Sequence, residues 1–297
     1  MAVAVGRTYH APASLAEAIA LLAELGSEAG VVAGGTDLVV AARGGRRRLP
    51  SALVAIHRLS ELAGISGTPS GGLAAGALVT HADLERSDLV RRRWSALADA
   101  AALVGSPATR HVGTLGGNLC NASPAMESGA PLLVYEASVE LHSTSGTRSL
   151  PLADFLLGPA RTALAPGELL TGVTVPPQPA GRVGSAYLRL DYRAAMEIAV
   201  VGAAALVALD ADGRCTEARI ALTAVAPTVV RAADAETALR GQMPTAERVA
   251  AAAARAVEAA RPIDDVRATA RYRTAMVPVI VRRVIELALK RAEEPGA

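Results

Sequence analysis

The sequence GTLGGNLCNASP at residues 113–124 and the shorter VAGGTD at residues 32–37 each contain two consecutive glycines. Because glycine has no Cβ atom, such a pair lets the backbone approach a ligand closely and turn several N–H groups toward it. If a helix begins at Thr36, its unpaired N–H groups and its dipole favour a bound anion. The two turns could thus hold the two phosphates of a dinucleotide. Side-chain donors in these segments are Thr36, Thr114, Asn118 and Ser123.

The alternative interpretation is that both segments are ordinary tight turns. The motif GxxxxGK[ST] does not occur, and GxGxxG is absent from the first segment, which disfavours a Walker loop and an ordinary Rossmann site. A carboxylate at Asp37 would repel a diphosphate, so we expect it to point away from one. The residues alone leave both interpretations open.

The composition is that of a globular protein, with 297 residues, 51% hydrophobic and 20% charged, long enough for two domains. A net charge of +2 and an aromatic content of 2% argue against nucleic-acid binding. The longest apolar run, residues 198–209, is too short to span a membrane, and the N-terminus shows no export signal. We therefore expect a soluble cytoplasmic protein.

Metal-ligating patterns are missing from the sequence. The five histidines never occur at metal-ligand spacing, and Cys120 and Cys215 lie far apart without a CxxC pattern. There is also no G-x-S-x-G sequence around the serines, which removes the support for a hydrolase triad. We expect neither a metal ion, nor an iron–sulfur cluster, nor a catalytic side chain on this chain.

The hydrophobic pattern divides the chain into two parts. Strands are predicted in the first part at residues 31–33, 52–56, 73–79 and 137–142, with a helix at 94–104. Residues 158–182 contain five prolines and are predicted to be a linker. Beyond it, the pattern predicts strands at 185–190, 199–209 and 217–225, then helices near 233–240, 245–260 and 275–291. Strands followed by helices indicate an α+β second domain.

Taken together, the two glycine motifs resemble those of the FAD-binding medium subunit of molybdenum hydroxylases, the family of aerobic carbon monoxide dehydrogenase and xanthine dehydrogenase. The resemblance extends to YLRLDYR at 187–193, EIA at 197–199, PIDDVR at 262–267 and YR at 272–273. It implies an α+β chain with a two-lobed FAD-binding domain of the vanillyl-alcohol-oxidase (PCMH) type over residues 1–177. A domain of the carbon monoxide dehydrogenase flavoprotein type, with a three-stranded antiparallel sheet and a helical bundle, would follow over 178–290, and a tail over 291–297.

The resemblance also implies a set of FAD contacts. One wall of the diphosphate site would be Ala33, Gly34, Gly35, Thr36 and Asp37, and the other Thr114, Leu115, Gly116, Gly117 and Asn118. Ser123 would add a donor, Leu170 an apolar neighbour of the cofactor, and Glu127 the acidic residue, an Asp in many relatives, on the adenosine side. Arg189 stands where the family has a Lys near the flavin, which keeps the charge but changes the geometry.

The function implied by the resemblance is electron transfer. A large partner subunit would oxidise the substrate at a molybdenum cofactor, and a small partner would carry electrons through two-iron two-sulfur clusters. The complex would be a dimer of heterotrimers. FAD on this chain would receive the electrons and pass them to an external acceptor. Two alternatives stay open: a free-standing FAD-dependent oxidase or dehydrogenase, and a non-redox nucleotide-binding or scaffold protein. The substrate and the final acceptor are not encoded in these residues.

Overall fold

The computed structural model describes residues 7–45, 48–193 and 195–294. Its strands are β1 (Thr8–His10), β2 (Ala29–Val32), β3 (Ala52–Ala55), β4 (Ile65–Gly67), β5 (Leu73–Gly76), β6 (Ser138–Ser143), β7 (Gly146–Pro151), β8 (Leu156–Gly158), β9 (Arg161–Thr162), β10 (Leu169–Val175), β11 (Arg182–Leu190), β12 (Val201–Leu209), β13 (Cys215–Thr223) and β14 (Val230–Arg231). Its helices are α1 (Leu15–Leu25), α2 (Thr36–Arg43), α3 (His81–Arg86), α4 (Asp88–Arg93), α5 (Ser95–Leu103), α6 (Pro107–Arg110), α7 (Leu115–Asn121), α8 (Gly129–Val134), α9 (Leu152–Phe155), α10 (Ala233–Leu239), α11 (Ala246–Arg255) and α12 (Ala270–Glu293).

The first lobe is built on a small parallel sheet in which β3 lies between β1 and β2. Helix α1 begins after Ser14, whose hydroxyl accepts a hydrogen bond from the N–H of Glu17. The helix buries Ala18 and Leu22 in the core of this lobe. Strand β2 ends one residue before the first glycine pair and α2 begins directly after it, so the pair lies at the carboxyl edge of the parallel sheet. Ligands commonly bind at that edge.

The second lobe contains a five-stranded sheet with the order β4-β5-β10-β6-β7. Strand β10 is its central strand and pairs antiparallel with β5 and β6. The prediction of a linker over 158–182 is therefore wrong for Leu169–Val175. The segment LLTGVTV is apolar and rich in β-branched residues, and Pro166 and Pro176 lie outside it, where they remove no ladder hydrogen bond.

The C-terminal domain has an antiparallel sheet with the order β11-β12-β13-β14. All nine residues of β12 are buried. Ala204 and Leu206 belong to the core shared with the second lobe, whereas Ala203, Ala205 and Val207 pack in the core that includes α12. Burial on both faces explains why this strand is an uninterrupted apolar run rather than an alternating pattern.

The sequence predicts three strands in this domain, and the structure adds β14 at the edge of the sheet. Two residues are too few to give a period-two pattern, so the strand leaves no signal in the sequence. The predicted helices correspond to α10, α11 and α12. None of the helices in the described part of the chain is long and apolar enough to cross a membrane.

Candidate functional site

The first glycine loop joins β2 to α2. Gly35 has φ of +69°, in the left-handed region that favours glycine, and it precedes α2 without any side-chain cap. Within the described residues, the N–H groups of Gly34, Gly35, Thr36 and Asp37 donate to no other group. Four neighbouring unpaired donors at the start of a helix form an anion-binding surface.

The two glycine motifs are in direct contact. A Cβ atom added to Gly34 would lie 1.9 Å from the carbonyl oxygen of Val112 and 3.2 Å from the amide nitrogen of Gly113. From the other side, a Cβ added to Gly113 would lie 3.6 Å from the hydroxyl oxygen of Thr36. Segments about eighty residues apart in the sequence thus meet backbone against backbone, and only glycine allows this approach at Gly34.

The second pair of glycines lies in the first turn of α7, whereas the sequence predicted a turn there. Thr114 caps this helix, because its hydroxyl accepts a hydrogen bond from the Gly117 N–H at 3.1 Å. The backbone N–H of Leu115 donates to the Val79 carbonyl oxygen at 2.8 Å, and the backbone N–H of Gly116 donates to the Ala77 carbonyl oxygen at 2.9 Å. These donors are satisfied within the protein, so the expectation that both loops present free N–H groups is wrong for the second loop.

The remaining surface of the second loop is formed by Gly117 and Asn118. Gly117 is exposed, whereas Gly116 is buried against Ala77, to which an added Cβ would approach within 2.7 Å. The amide oxygen of Asn118 accepts a hydrogen bond from the Ser128 hydroxyl at 2.5 Å. The second loop therefore packs beside the first loop with its own N–H groups paired, and the Asn118 amide nitrogen is its side-chain donor.

Two of the other predicted residues, Ser123 and Leu170, already have contacts within the protein. Ser123 is half-buried, and its hydroxyl accepts a hydrogen bond from the Ala125 N–H at 3.3 Å. Leu170 lies on β10, where its side chain is buried in the core of the second lobe.

Glu127 and Arg189 form a buried ion pair. The Arg189 side chain is 1% exposed, with Nη1 at 2.6 Å from Glu127 and Nε at 2.9 Å from Asp191. Its third nitrogen, Nη2, has no hydrogen-bond partner among the described residues, and neither has the hydroxyl of Tyr187. A buried, unpartnered guanidinium nitrogen is costly unless a ligand supplies the acceptor. This orphaned nitrogen is the feature of the pair that points to a bound group.

The carboxyl groups near the loops are electrostatically linked. Burial raises the pKa of Glu127 to about 7, against the opposing effect of Arg189, and the negative charge of Asp37 adds to the increase. Burial also raises the pKa of Asp37 above its ordinary value, although part of that residue remains exposed. The Asp37 effect on Glu127 indicates that the ion pair lies within reach of the first loop's charge.

Sequence reasoning missed two residues of this site. Asp191 follows Arg189 by two positions, and this spacing on an extended chain is a signal that could have paired them. His81 has no such signal. It is 2% exposed, and its backbone N–H donates to the Gly113 carbonyl at 3.1 Å. Its ring atom Nδ1 has no hydrogen-bond partner within the described residues.

Acidification is expected to destabilise the protein through His81. Burial, and secondarily the Arg110 charge, lower the pKa of His81 to about 4 from an ordinary 6.5. The folded state therefore prefers the neutral imidazole. The neutral ring's contribution to the free energy of unfolding is fully present above pH 6.5, and up to roughly 3 kcal/mol of it is lost as the pH falls through 4. Urea unfolding of wild type and His81→Leu between pH 7 and 4 checks this. The variant should show a shallower pH dependence, and an unchanged slope would contradict the assignment; exposed His57→Leu is the control.

Comparison with known families gives the context of this geometry. A family described as the FAD binding domain in molybdopterin dehydrogenase matches residues 3–178, and one described as the CO dehydrogenase flavoprotein C-terminal domain matches residues 186–288. The chain belongs to the FAD-binding medium-subunit family of the molybdenum hydroxylases. It is an FAD-dependent oxidoreductase subunit, which confirms the resemblance seen in the glycine motifs.

Individual members of the family match over almost their whole length. The xanthine dehydrogenase FAD-binding subunit of Escherichia coli O157:H7 is 34% identical, and the match covers 96% of this chain and 97% of that protein. The carbon monoxide dehydrogenase medium chain of Hydrogenophaga pseudoflava is 36% identical, with 95% and 97% covered. A solved structure of carbon monoxide dehydrogenase from the same organism superimposes with a TM-score of 0.90 at 37% identity, covering 96% of this chain and 98% of that one. This confirms the predicted α+β fold class of an FAD-binding domain followed by an antiparallel sheet with helices.

Proposed function

We propose that this medium-subunit family member binds FAD and transfers electrons within a molybdenum hydroxylase complex. Electrons would arrive from iron–sulfur clusters of a small partner subunit, after substrate oxidation at a molybdenum cofactor on a large one. The FAD would then pass them to an external acceptor. The observation that carries the proposal is the first glycine loop, which has four unpaired N–H groups and packs against the second motif.

The residues present fit the diphosphate of FAD. The N–H groups from Gly34 to Asp37 provide donors, and each hydrogen bond to a charged oxygen contributes about 1.5–3 kcal/mol. The second motif packs against the first loop, and the Asn118 amide nitrogen is a further donor. The proposed contacts are Ala33, Gly34, Gly35, Thr36, Asp37, Thr114, Leu115, Gly116, Gly117, Asn118, Ser123, Glu127, Leu170 and Arg189.

The buried ion pair supports a role for this chain in holding the cofactor. Arg189 is fixed at two of its nitrogens by Glu127 and Asp191, so that Nη2 is positioned for an acceptor from the bound group. FAD supplies the redox chemistry when bound, while the protein determines its position, burial and electrostatic environment. That division explains why no nucleophile or general acid is needed on this chain.

The assembly proposed for this chain follows from the same family membership. The partners would be the molybdenum-binding large subunit and the iron–sulfur small subunit, arranged as a dimer of heterotrimers in the cytoplasm. The domain division proposed is residues 1–177 for the FAD-binding domain, 178–290 for the C-terminal domain and 291–297 for the tail. The relatives are a medium chain and an FAD-binding subunit, which supports a role as one subunit among several.

Flavin reduction in the intact complex and in the isolated chain tests this proposal. Rapid-mixing absorbance at the flavin band should show reduction by the complex's substrate only when the partner subunits are present. The isolated, FAD-loaded chain should remain oxidised under the same conditions. Rapid reduction of the isolated chain by substrate would contradict the proposal and would support a free-standing oxidase or dehydrogenase.

A further inference from the structure

A cleft lies between the second lobe and the C-terminal domain. It has a volume of about 650 Å³ and lies between the helices α3, α4 and α5 and the elements β11 and α12. Gly184 at the start of β11 lines it, whereas Arg189 stands at the far end of the same strand. At the usual rise per residue the two positions are roughly 17 Å apart. The cleft is thus separate from the buried ion pair, and none of the glycine-loop residues lines it.

The polar groups on the floor of this cleft have hydrogen-bond partners within the protein. The Ser95 hydroxyl donates to the Ser185 carbonyl at 2.8 Å, and Arg291 forms two hydrogen bonds to Asp99, at 2.6 and 3.0 Å. The Asp99 oxygen of the 2.6 Å bond, Oδ2, also accepts a hydrogen bond from the Tyr187 N–H at 3.1 Å. With these polar groups already paired, the floor offers little to hold a small polar ligand at depth.

The rim of the cleft carries uncompensated positive charge. Each of the three carboxylates that line it is paired with another cation: Glu85 with Arg110, Asp99 with Arg291, and Glu294 with Lys290. The four exposed arginines of the rim have no carboxylate within ion-pair distance in the described part of the chain. They are Arg86, Arg91, Arg92 and Arg93.

The favourable position of positive charge at a helix C-terminus explains only three of the four rim arginines. Three of the arginines lie in the last turn of α4, where the helix dipole favours positive charge. Arg86 belongs to a different helix, α3, and lines the same cleft. Neighbouring guanidinium groups repel one another unless an anion lies between them.

We propose that this cleft docks an extended acidic segment of a partner protein. Guanidinium groups pair with carboxylates in a planar, bidentate manner, and four of them along an open rim match a row of carboxylates better than a single compact anion. The small side chains of Ala98 and Ala102 leave room for a peptide backbone along the floor. The proposal concerns a surface apart from the FAD site and stands independently of it.

Fluorescence anisotropy with a labelled twelve-residue Glu/Gly peptide tests the proposal on the full chain. Wild type should bind the peptide in low salt, with an affinity that falls as salt rises. The double variant Arg91→Glu/Arg92→Glu should lose at least about tenfold in affinity, because reversed rim charges repel the peptide. The matched control is Arg282→Glu/Arg283→Glu, a pair of exposed adjacent arginines on α12 that do not line the cleft.

The outcomes separate the proposal from its competitors. Loss of binding in the cleft variant, with the control unchanged, supports it. Equal loss in both variants would show a general charge effect and overturn it, as would the absence of peptide binding to wild type. Competition by inorganic pyrophosphate or ATP at concentrations far below that of unlabelled peptide would assign the cleft to a small phosphate ligand instead. FAD content, measured in parallel, should be the same in all three proteins.

Discussion

Gly34→Ala is expected to lower FAD affinity by at least about 100-fold, which corresponds to losing one or two hydrogen bonds to a charged oxygen. The new Cβ atom would lie 1.9 Å from the Val112 carbonyl oxygen, so the two glycine loops must separate. Separation moves the free N–H groups of the first loop relative to the second motif. Overpacking of this kind also costs about 1–3 kcal/mol of folding free energy. Flavin fluorescence titration and urea unfolding measure the two effects.

Gly64→Ala is the matched control for this substitution. A Cβ at Gly64 would meet nothing within 4 Å, and Gly64 is not among the residues with positive φ. The control should therefore retain both FAD affinity and stability. If Gly34→Ala binds FAD as tightly as Gly64→Ala, contact between the two loops is not what forms the site.

Arg189→Met is expected to be strongly destabilising. Arg189 is buried, and its removal leaves the Glu127 and Asp191 carboxylates without the cation between them. Removing one partner of a buried ion pair costs about 3–5 kcal/mol, because the remaining charge is buried without compensation. Urea unfolding at pH 8, above the raised pKa of Glu127 of about 7, gives the largest effect because that carboxyl is then ionised.

Arg148→Met provides the comparison, because Arg148 also makes two short hydrogen bonds to carboxylate oxygens but lies at the surface. Arg148 forms two hydrogen bonds to Glu168, at 2.7 and 2.8 Å, but its side chain is 46% exposed. Solvent screens an exposed pair, so this substitution should change stability little. Similar losses in the two variants would contradict the view that burial makes the Glu127–Arg189 pair costly to break.

The sequence and its family resemblance predicted that the glycine motifs belong to one site, and the structure brings them into contact. The difference between the two loops could not be predicted. Leu115 and Gly116 donate to carbonyls of Val79 and Ala77, and which carbonyls lie nearby depends on tertiary packing. Sequence alone gives the capacity of glycine for close approach, but it does not say which N–H groups remain unpaired.

The errors in the predicted fold have a similar origin. The proline-rich composition of 158–182 concealed the central strand β10, because composition averages over residues that flank a strand and residues within it. The partner of Arg189 was also hidden, although Glu127 and Arg189 were both singled out. Their pairing joins the second lobe to the first strand of the C-terminal domain, and nothing in the local sequence pattern reports such a contact.

Competition for FAD binding tests the central claim most directly. The apo chain should bind one FAD per chain, and ADP should displace it because ADP retains the diphosphate that the first loop's N–H groups would bind. Adenosine, which lacks both phosphates, should compete at least about 100-fold more weakly, as expected for the loss of two hydrogen bonds to charged oxygens. A chain that binds no FAD, or adenosine that competes as well as ADP, would contradict the claim that the glycine loops hold the diphosphate.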